Sequence, residues 1–324
     1  MKISNSLRKM TLAVLGAFGL TLSLPGGAAN LFVEAGASGA SCTAAESCAS
    51  IQAAVDLASP GDQIIIGDGV FAENIRILPG KDGITLTGGG QTVIDSSGGI
   101  DGVCAPCPTT PADVVLDIFA ADVVIKNLSI VHSGPTPTKR DIGVFVRPPA
   151  SGVTLKHLNF RRDRSGEAPI PGPGSRGVFA FLAPDLTIKD STFRGSYQDS
   201  IHIPASNVII KDNDIADTPR VGIVIIQEPA GSPTVDSLIA GNAVTNTGGD
   251  GIQIQGDNNV VKGNTVTDSA GAGIKLCGAV VGDCVDPGDT QIAAVAEDNI
   301  VNSNTVSGSG GGDVVDNGIG NLVK

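Results

Sequence analysis

The segment VIIKDNDI, followed by GIVI, within residues 208–225 decides the fold, because the same pattern returns twice farther along the chain. It returns within residues 238–254 as LIAGNAV followed by GIQI, and within residues 260–276 as VVKGNTV followed by GIKL. Each unit has two short runs rich in β-branched residues that meet at an Asn, then a polar loop and a Gly-led alternating run. Alternating runs between clusters of Gly, Asn and Asp are typical of β-strands.

The spacing of these units predicts a solenoid. Aligned aliphatic residues lie 30, 33, 22, 29, 22 and 40 residues apart, at Ile125, Leu155, Ile188, Ile210, Ile239, Val261 and Val301. A shortest repeat of 22 residues with variable insertions is typical of stacked coils whose loops grow on one side. Each repeat has room for three strands and no helix, which excludes leucine-rich and ankyrin repeats. Stacking would place Asn213, Asn242 and Asn264 about 4.8 Å apart, where their amides can bond in a ladder.

The Asn-x-Val or Asn-x-Ile turns and the Gly-Ile-x-Ile runs also carry a family resemblance, together with the segment SIQAAVD and PGDQIII within residues 50–66. On these motifs the chain resembles the right-handed parallel β-helix proteins of the pectin-lyase-like superfamily, over roughly residues 31–324. The resemblance implies an all-β fold, a single right-handed parallel β-helix solenoid of about nine coils. It implies little about activity, because this fold carries lyases, hydrolases, esterases, epimerases and non-catalytic proteins.

Residues 1–29 have the organisation of a secretory signal peptide, which leaves residues 30–324 as one β-helix domain. Basic residues come first, an apolar stretch from Met10 to Leu24 follows, and small residues precede Asn30. The apolar stretch is short for a membrane span, and no second one follows. We therefore expect a secreted or periplasmic protein without a membrane span.

Composition narrows the choice of partner. The net charge is −12, aromatic residues make up 3% of the chain, and Trp is absent. A strongly acidic protein is not expected to bind nucleic acid. The net charge does not exclude a local basic cleft. With so few aromatic residues, aliphatic stacks must fill the interior. The oligomeric state cannot be read from these features.

Six cysteines fall into three close pairs, Cys42 with Cys48, Cys104 with Cys107, and Cys277 with Cys284. Six cysteines allow fifteen pairings, and their local spacing favours these three disulfides. Each would close one loop in an oxidising compartment. A redox role for the Cys-x-x-Cys pair is disfavoured, because no thioredoxin-like βαβ pattern surrounds it.

A helix is predicted over residues 43–58. Thr43 can cap it, and Ile51, Ala54, Val55 and Ala58 share one face. Pro60 and Gly61 end it. Because a β-helix has an open apolar end, we expect this helix to cap the first coil.

The Gly-led strands present one row of outward side chains, spaced about 4.8 Å apart by strand stacking. The aligned row consists of Asp117, Phe145, Phe179, His202, Val224, Gln253 and Lys275. In the sugar-cleaving β-helices that the chain resembles, substrate lies along such a face, so Phe145, Phe179, Gln253 and Lys275 are candidates for substrate binding. The two Phe rings would stack on sugars if exposed; the alternative is that the long loops 134–140 and 161–175 cover them as a satellite core.

The segment from Tyr197 to His202 holds the densest cluster of reactive residue types. Proton abstraction next to a uronate needs a base, for which His202 or Tyr197 is the candidate, and a cation, for which Arg220 or Lys275 is the candidate. Glycoside hydrolysis needs two carboxylates instead, and Asp199 and Asp250 occupy equivalent positions two coils apart, roughly 10 Å by strand spacing. The alternative is that both Asp residues only cap turns.

Departures from known patterns leave the chemistry open. The Asp-Asp, Gly-His-Gly and Arg-x-Lys motifs of polygalacturonases are missing, as are the clustered calcium-binding carboxylates of pectate lyases. His132 and His157 are expected to be turn or surface residues, because isolated His residues do not make a zinc site. Asp283, Asp286 and Asp289 form a weak calcium candidate, against the alternative of a solvated acidic loop. No other cofactor is indicated.

Two functional classes therefore compete. The first is an enzyme that acts on an extracellular polysaccharide, as a lyase or a glycoside hydrolase. The second is a non-catalytic β-helix that binds carbohydrate or forms part of a cell surface. The outward His202 among charged neighbours favours the first class, whereas the low aromatic content and the missing motifs favour the second.

Overall fold

The computed structural model describes residues 27–96, 100–103, 111–134, 139–164, 166, 174–195, 197–227, 234–278, 283–284 and 295–324. Most of the predicted signal peptide lies outside these residues. Cys104, Cys107, Asp286 and Asp289 lie outside them as well.

The described residues form one short helix and many short strands. In chain order they are β1 (Asn30–Val33), α1 (Ile51–Leu57), β2 (Gln63–Ile66), β3 (Gly69–Ala72), β4 (Ile75–Ile77), β5 (Thr85–Gly88), β6 (Thr92–Asp95), β7 (Ile100–Val103), β8 (Pro111–Ile118), β9 (Val124–His132), β10 (Arg140–Val146), β11 (Thr154–Arg162), β12 (Arg176–Ala180), β13 (Thr187–Lys189), β14 (Thr192–Gly195), β15 (Asp199–Ile203), β16 (Ile209–Lys211), β17 (Asp214–Thr218), β18 (Val221–Ile225), β19 (Leu238–Ala240), β20 (Ala243–Thr247), β21 (Ile252–Ile254), β22 (Val260–Lys262), β23 (Thr265–Ser269), β24 (Ile274–Leu276), β25 (Ile300–Asn302), β26 (Thr305–Ser307), β27 (Val314–Asp316) and β28 (Leu322–Val323).

The strands stack into three parallel sheets that wind as a right-handed β-helix. Sheet 1 contains β1, β2, β5, β9, β11, β13, β16, β19, β22, β25 and β28. Sheet 2 contains β3, β6, β14, β17, β20, β23 and β26, and the long strands β9 and β11 run through it too. Sheet 3 contains β4, β8, β10, β12, β15, β18, β21, β24 and β27, with β7 antiparallel on β8. Nine successive coils, which begin at β2 and end with β27, have a strand in all three sheets, so the predicted coil number is confirmed.

Aliphatic stacks fill the interior, as the composition predicts. In sheet 1 the inward row is fully or almost fully buried and consists of Ile64, Leu86, Ile125, Leu155, Ile188, Ile210, Ile239, Val261 and Val301. Burial of each such side chain stabilises the fold by about 1.5–3 kcal/mol. The rings of Phe160 and Phe193 also stack on each other in the interior, with their centroids 4.4 Å apart.

The predicted asparagine ladder is present at the turn between sheets 1 and 2. Side-chain amides link Asn213, Asn242, Asn264 and Asn304 at 2.9–3.0 Å. A second ladder, which the sequence pattern did not predict, links Asn259, Asn299 and Asn321 at the turn before sheet 1. Each amide satisfies backbone groups of adjacent coils, so both turns are fixed in register.

Helix α1 begins later than predicted. Its N-cap is Ser50, whose Oγ accepts from the N–H of Ala53 at 3.3 Å, whereas Thr43 accepts from the N–H of Glu46 in a tight turn. The predicted start at Thr43 is wrong because the disulfide between Cys42 and Cys48 closes a loop there. The expected buried face, Ile51, Ala54 and Val55, is confirmed. Capping of the first coil by α1 stays a prediction.

Two of the three predicted disulfides are confirmed, Cys42–Cys48 and Cys277–Cys284. The third predicted pair lies outside the described residues. In the part of the chain that the structure describes, no helix is long and apolar enough to cross a membrane.

Candidate functional site

The outer row of sheet 3 has the register that the sequence predicts. Neighbouring strands align one side chain per coil, namely Arg76, Asp117, Phe145, Phe179, His202, Val224, Gln253, Lys275 and Val315. The seven predicted neighbours are therefore confirmed, and Arg76 and Val315 extend the row at its two ends. A second row lies beside it in β12, β15 and β18, three residues before the first row in each of these strands. This second row aligns Arg176, Asp199 and Val221.

Phe145 and Phe179 are fully buried in a small apolar cluster that is separate from the main core, so neither ring forms an exposed sugar platform. Most of loops 134–140 and 161–175, the alternative cover for these rings, lies outside the described residues. The two Phe rings stack with centroids 4.8 Å apart. Guanidinium groups pack on both rings, Arg147 at 4.5 Å from the centroid of Phe145 and Arg176 at 4.4 Å from that of Phe179. Cation–π contacts and ring stacking keep these aromatic side chains out of water.

His202 and Asp199 form the centre of the candidate site. His202 Nδ1 lies 3.1 Å from Asp199 Oδ2, and both side chains are fully buried. Guanidinium groups from the two adjacent coils approach the same oxygen, Arg220 Nη2 at 3.7 Å and Arg176 Nε at 3.9 Å. The structure thus brings three of the five predicted catalytic residues together and adds Arg176.

The charges around Asp199 favour its ionised form. Burial raises the pKa of this carboxyl, but the hydrogen bond with His202 and the charges of Arg220 and Arg176 together outweigh burial and hold the pKa below its ordinary value. An ionised Asp199 fixes the imidazole of His202 through Nδ1.

Asp250 lies farther along the same face and is only partly buried. Burial raises the pKa of its carboxyl, although the N–H of Ala272 donates to Oδ1 at 2.7 Å and Lys275 is near. Gln253 is almost fully buried, whereas Lys275 is partly exposed. The predicted residues Asp250, Gln253 and Lys275 therefore form one end of the face, apart from the cluster at His202.

Tyr197 does not join His202. Its hydroxyl lies 2.9 Å from His132 Nδ1, and both side chains are fully buried. The expectation that His132 is a turn or surface residue is therefore wrong. Burial lowers the pKa of His132 and raises that of Tyr197 well above its ordinary value, so both groups are neutral near pH 7. His157, in contrast, is exposed, as expected, although it lies within β11, where its φ of +52° bends the strand between sheets 1 and 2.

A second buried charged cluster surrounds His132 and was missed from the sequence. Arg164 Nη1 donates to Asp113 Oδ2 at 3.0 Å and to Asp141 Oδ1 at 2.8 Å. Arg162 Nε donates to Asp141 Oδ2 at 2.7 Å. The sequence held one signal for this cluster. Asp113 and Asp141 occupy equivalent positions near the start of β8 and β10, and the strand register pairs them.

This cluster does not fit a metal ion. Ligand atoms of Asp113, His132 and Asp141 lie within 4.8 Å of one another. However, Arg164 bridges the two carboxylates and so occupies the position that a cation would need. His132 Nε2 lies 3.2 Å from the main-chain oxygen of Asp113, and its other nitrogen contacts Tyr197. The cluster is an ion-pair network that joins the coils at the start of sheet 3.

The predicted calcium loop has one described member, Asp283. Its carboxylate accepts from the N–H of Gly278 at 2.7 Å and from Asn317 Nδ2 at 2.9 Å, and Lys275 Nζ lies 3.3 Å from Oδ1. Burial opposes ionisation, but these donors hold the pKa of Asp283 below its ordinary value. Donors on both oxygens mean that an ion would have to displace them.

Similar solved structures share the fold. The Dettilon tailspike protein is 15% identical, with a TM-score of 0.50, over 82% of this chain and 63% of its own. The tailspike protein of E. coli bacteriophage HK620 in complex with a pentasaccharide is 12% identical, with a TM-score of 0.55, over 78% and 45%. An alginate lyase from a Paenibacillus species is 15% identical, with a TM-score of 0.52, over 90% and 99%.

The chain therefore spans less than two thirds of either tailspike chain. No curated protein is significantly similar to it in sequence. A model of the right-handed β-helix region matches residues 142–323, which is more than half of the chain. The match covers the coils that carry both the asparagine ladders and His202, and the chain belongs to the right-handed β-helix family.

Proposed function

We propose that this protein acts on an extracellular polysaccharide at the outer face of sheet 3, with His202 at the reacting position. The observation that carries the proposal is the contact of His202 with Asp199, flanked by Arg176 and Arg220 within 4 Å of the carboxylate. This combination supplies a base, a group that orients it and two cations. Similar folds that hold a pentasaccharide or belong to an alginate lyase support polysaccharide as the ligand class. The two disulfides support an oxidising, secreted or periplasmic location.

Elimination next to a uronate is the reaction that these groups fit best. His202 Nε2 would take the proton next to the sugar carboxylate, because Nδ1 is held by Asp199. Arg220 and Arg176 would bind that carboxylate and stabilise the negative charge that develops on it. The bond to the leaving sugar oxygen then breaks, that oxygen takes up a proton from water or from the protonated His202, and an unsaturated sugar is left as product. Tyr197 has no part in this step, since its hydroxyl contacts His132.

The mechanism requires that the sugar reach His202, whose side chain is buried. His202 is fully buried, whereas the side chains of Arg220 and Lys275 are each 19% exposed. The accessible part of the face thus begins one coil beyond His202. A sugar would bind there first, and side chains around His202 must move before it reaches Nε2. A non-catalytic carbohydrate-binding protein, the competing class, would need no such movement.

Glycoside hydrolysis is a second candidate, because the environments of Asp199 and Asp250 shift their pKa values in opposite directions. A carboxyl with a raised pKa suits a general acid, and one with a lowered pKa suits a general base. The two residues are two coils apart, about 10 Å by strand spacing, which is at or beyond the upper limit of the range for inverting enzymes.

Purified protein incubated with a panel of polysaccharides tests the proposal. Absorbance of unsaturated products would identify elimination, and new reducing ends without that absorbance would identify hydrolysis. Uronate-containing polymers should react and neutral ones should not. Binding of a polysaccharide without any cleavage would contradict the enzymatic proposal and favour the binding class.

Arg220→Ala and Asp250→Asn separate the two reactions. Elimination predicts that Arg220→Ala lowers kcat strongly, because the developing charge loses its cation, while Asp250→Asn has little effect on kcat. Hydrolysis by the carboxylate pair predicts the reverse order. Lys275→Gln should change KM more than kcat, since Lys275 lies three coils from His202.

A further inference from the structure

The outer face of sheet 1 carries a feature that the proposed function does not use. Four lysines occupy equivalent positions on consecutive coils, and we call Lys126, Lys156, Lys189 and Lys211 the lysine row. Strand stacking places neighbours in the row about 4.8 Å apart. Like charges directly opposite each other are destabilising, so four in line on a protein of net charge −12 suggest an anionic partner.

The two ends of the lysine row differ in their local partners. Lys211 Nζ lies 2.8 Å from Asp212 Oδ2, and Lys189 Nζ lies 3.8 Å from Asp190 Oδ2. At the equivalent positions Lys126 and Lys156 are followed by Asn127 and His157, neither of which is an acidic residue. Among the described residues, no ion pair joins Lys126 or Lys156 to a carboxylate. Positive charge is therefore least compensated at these two lysines.

A polar groove of about 360 Å³ adjoins the same two coils at the turn between sheets 1 and 2. Amide, hydroxyl and imidazole groups line it, from Asn127, Ser129, His157 and Asn159, and Gly88–Gly90 form one wall. Asn159 and His157 are exposed. Side chains of this kind donate and accept hydrogen bonds in the way that sugar hydroxyls require.

We propose that the lysine row and this groove bind a linear anionic polysaccharide, with its chain parallel to the axis of the β-helix. A glycan with a carboxylate or sulfate on successive sugars presents its charges in a line, as the row does, and its hydroxyls match the groove. Nucleic acid is the less suitable polyanion. On the four coils of the row, the outer described side chains of sheets 1 and 2 include no Phe, Tyr or Trp on which bases could stack. This site lies on a different sheet from His202 and does not depend on catalysis there.

Binding of polygalacturonate, measured by calorimetry at low salt, tests the proposal. The double variant Lys126→Gln with Lys156→Gln should bind at least tenfold more weakly than the parent protein. The matched control, Lys81→Gln with Lys139→Gln, removes the same charge away from the outer column of sheet 1, because Lys81 precedes β5 and Lys139 precedes β10, and its affinity should stay within twofold of the parent protein. Measurements in the His202→Ala background prevent any turnover from consuming the probe, and melting curves check that each variant is folded.

Three outcomes would overturn the proposal. The first is an equal loss of affinity in the two double variants, because that result would reflect net charge alone. The second is single-stranded DNA binding as tightly as polygalacturonate, which would make the row a general polyanion site. The third is that the parent protein binds polygalacturonate no better than neutral dextran at low salt. Affinity that falls with added salt, less steeply in the Lys126 and Lys156 double variant, would support it.

Discussion

At the scale of single residues, Asn242 joins three coils. Its Nδ2 donates to Asn264 Oδ1 at 2.9 Å, and its Oδ1 accepts from both Nδ2 and the backbone N–H of Asn213 at 3.0 Å. Asn242→Ala would leave these buried groups without partners, and we expect the free energy of unfolding to fall by about 1–3 kcal/mol. Urea denaturation measures this loss.

Asn159→Ala is the matched control for this substitution. Asn159 is exposed, and its Oδ1 accepts from Thr192 Oγ1 at 2.8 Å on the protein surface. Its loss should change the free energy of unfolding by less than about 0.5 kcal/mol. Equal losses for the two variants would contradict the ladder as a stabilising feature.

Asp250 gives a pH-dependent test at the same scale. Burial raises the pKa of this carboxyl above its ordinary, unfolded value. The folded protein thus binds the proton more tightly, so stability is lost as the pH rises from the unfolded pKa through the folded pKa. Asp250→Asn removes this loss and should raise the melting temperature at neutral pH but not below the unfolded pKa. The same change at both pH values would show that ionisation of Asp250 has no role.

At the scale of elements, the Gly near the start of several strands of sheet 3 has a steric reason. A Cβ at Gly251 would lie 2.6 Å from the carbonyl oxygen of Gly273 and 2.4 Å from Val266 Cγ1. A Cβ at Gly222 would likewise lie 2.7 Å from the carbonyl oxygen of Gly251. At Gly222 and Gly251, adjacent coils therefore approach too closely for a side chain.

Gly251→Ala tests this close approach. The added methyl group must displace the next coil, and we expect destabilisation of about 1–3 kcal/mol. Gly263→Ala is a useful comparison, because a Cβ there meets no atom within 4 Å and only its φ of +63° opposes the substitution. If Gly263→Ala were the more damaging of the two in thermal melts, contact between the coils would not explain the Gly-led strands.

The lysine row also makes a prediction about its strands. Lys156 has a lysine on the adjacent coil at both sides, so its charge is repelled from two directions. Lys156→Gln should raise the melting temperature at low salt, and the gain should shrink as salt screens the charges. Differential scanning calorimetry at two salt concentrations gives both values. A lower melting temperature at low salt would mean that Lys156 is stabilised by its surroundings.

At the scale of the whole molecule, stability should vary along the solenoid. Interior coils are packed on both sides, whereas Leu322 and Val323 of the last strand are exposed and Val306 and Val314 are only partly buried. Because each coil contacts mainly its neighbours, exchange of amide hydrogens should be slowest within residues 207–276 and fastest within 300–324. Hydrogen exchange read by mass spectrometry would contradict this order if both regions exchanged at one rate.

The repeat architecture of the whole molecule explains which features could be predicted from the sequence. Register follows from periodicity, so the order of Phe179, His202 and Gln253 along sheet 3 could be predicted from repeat spacing. Burial on the outer face depends on residues that are distant in sequence, and alternation carries no information about it. For this reason the sequence left open whether Phe145, which Arg147 covers, is exposed. For the same reason His132, which Arg164 and Tyr197 enclose, was wrongly expected near the surface.

Turnover by the His202→Ala protein tests the central claim most directly, on a polysaccharide that the parent protein cleaves. The side chain lies outside the interior stacks, so the variant should keep its fold, as judged by its melting curve. The proposal predicts that kcat falls by at least a hundredfold, because the proton loses its acceptor. Asp199→Asn should impair the same step, since the imidazole loses the carboxylate that orients it. A folded His202→Ala protein that cleaves the substrate at the rate of the parent protein would contradict the claim.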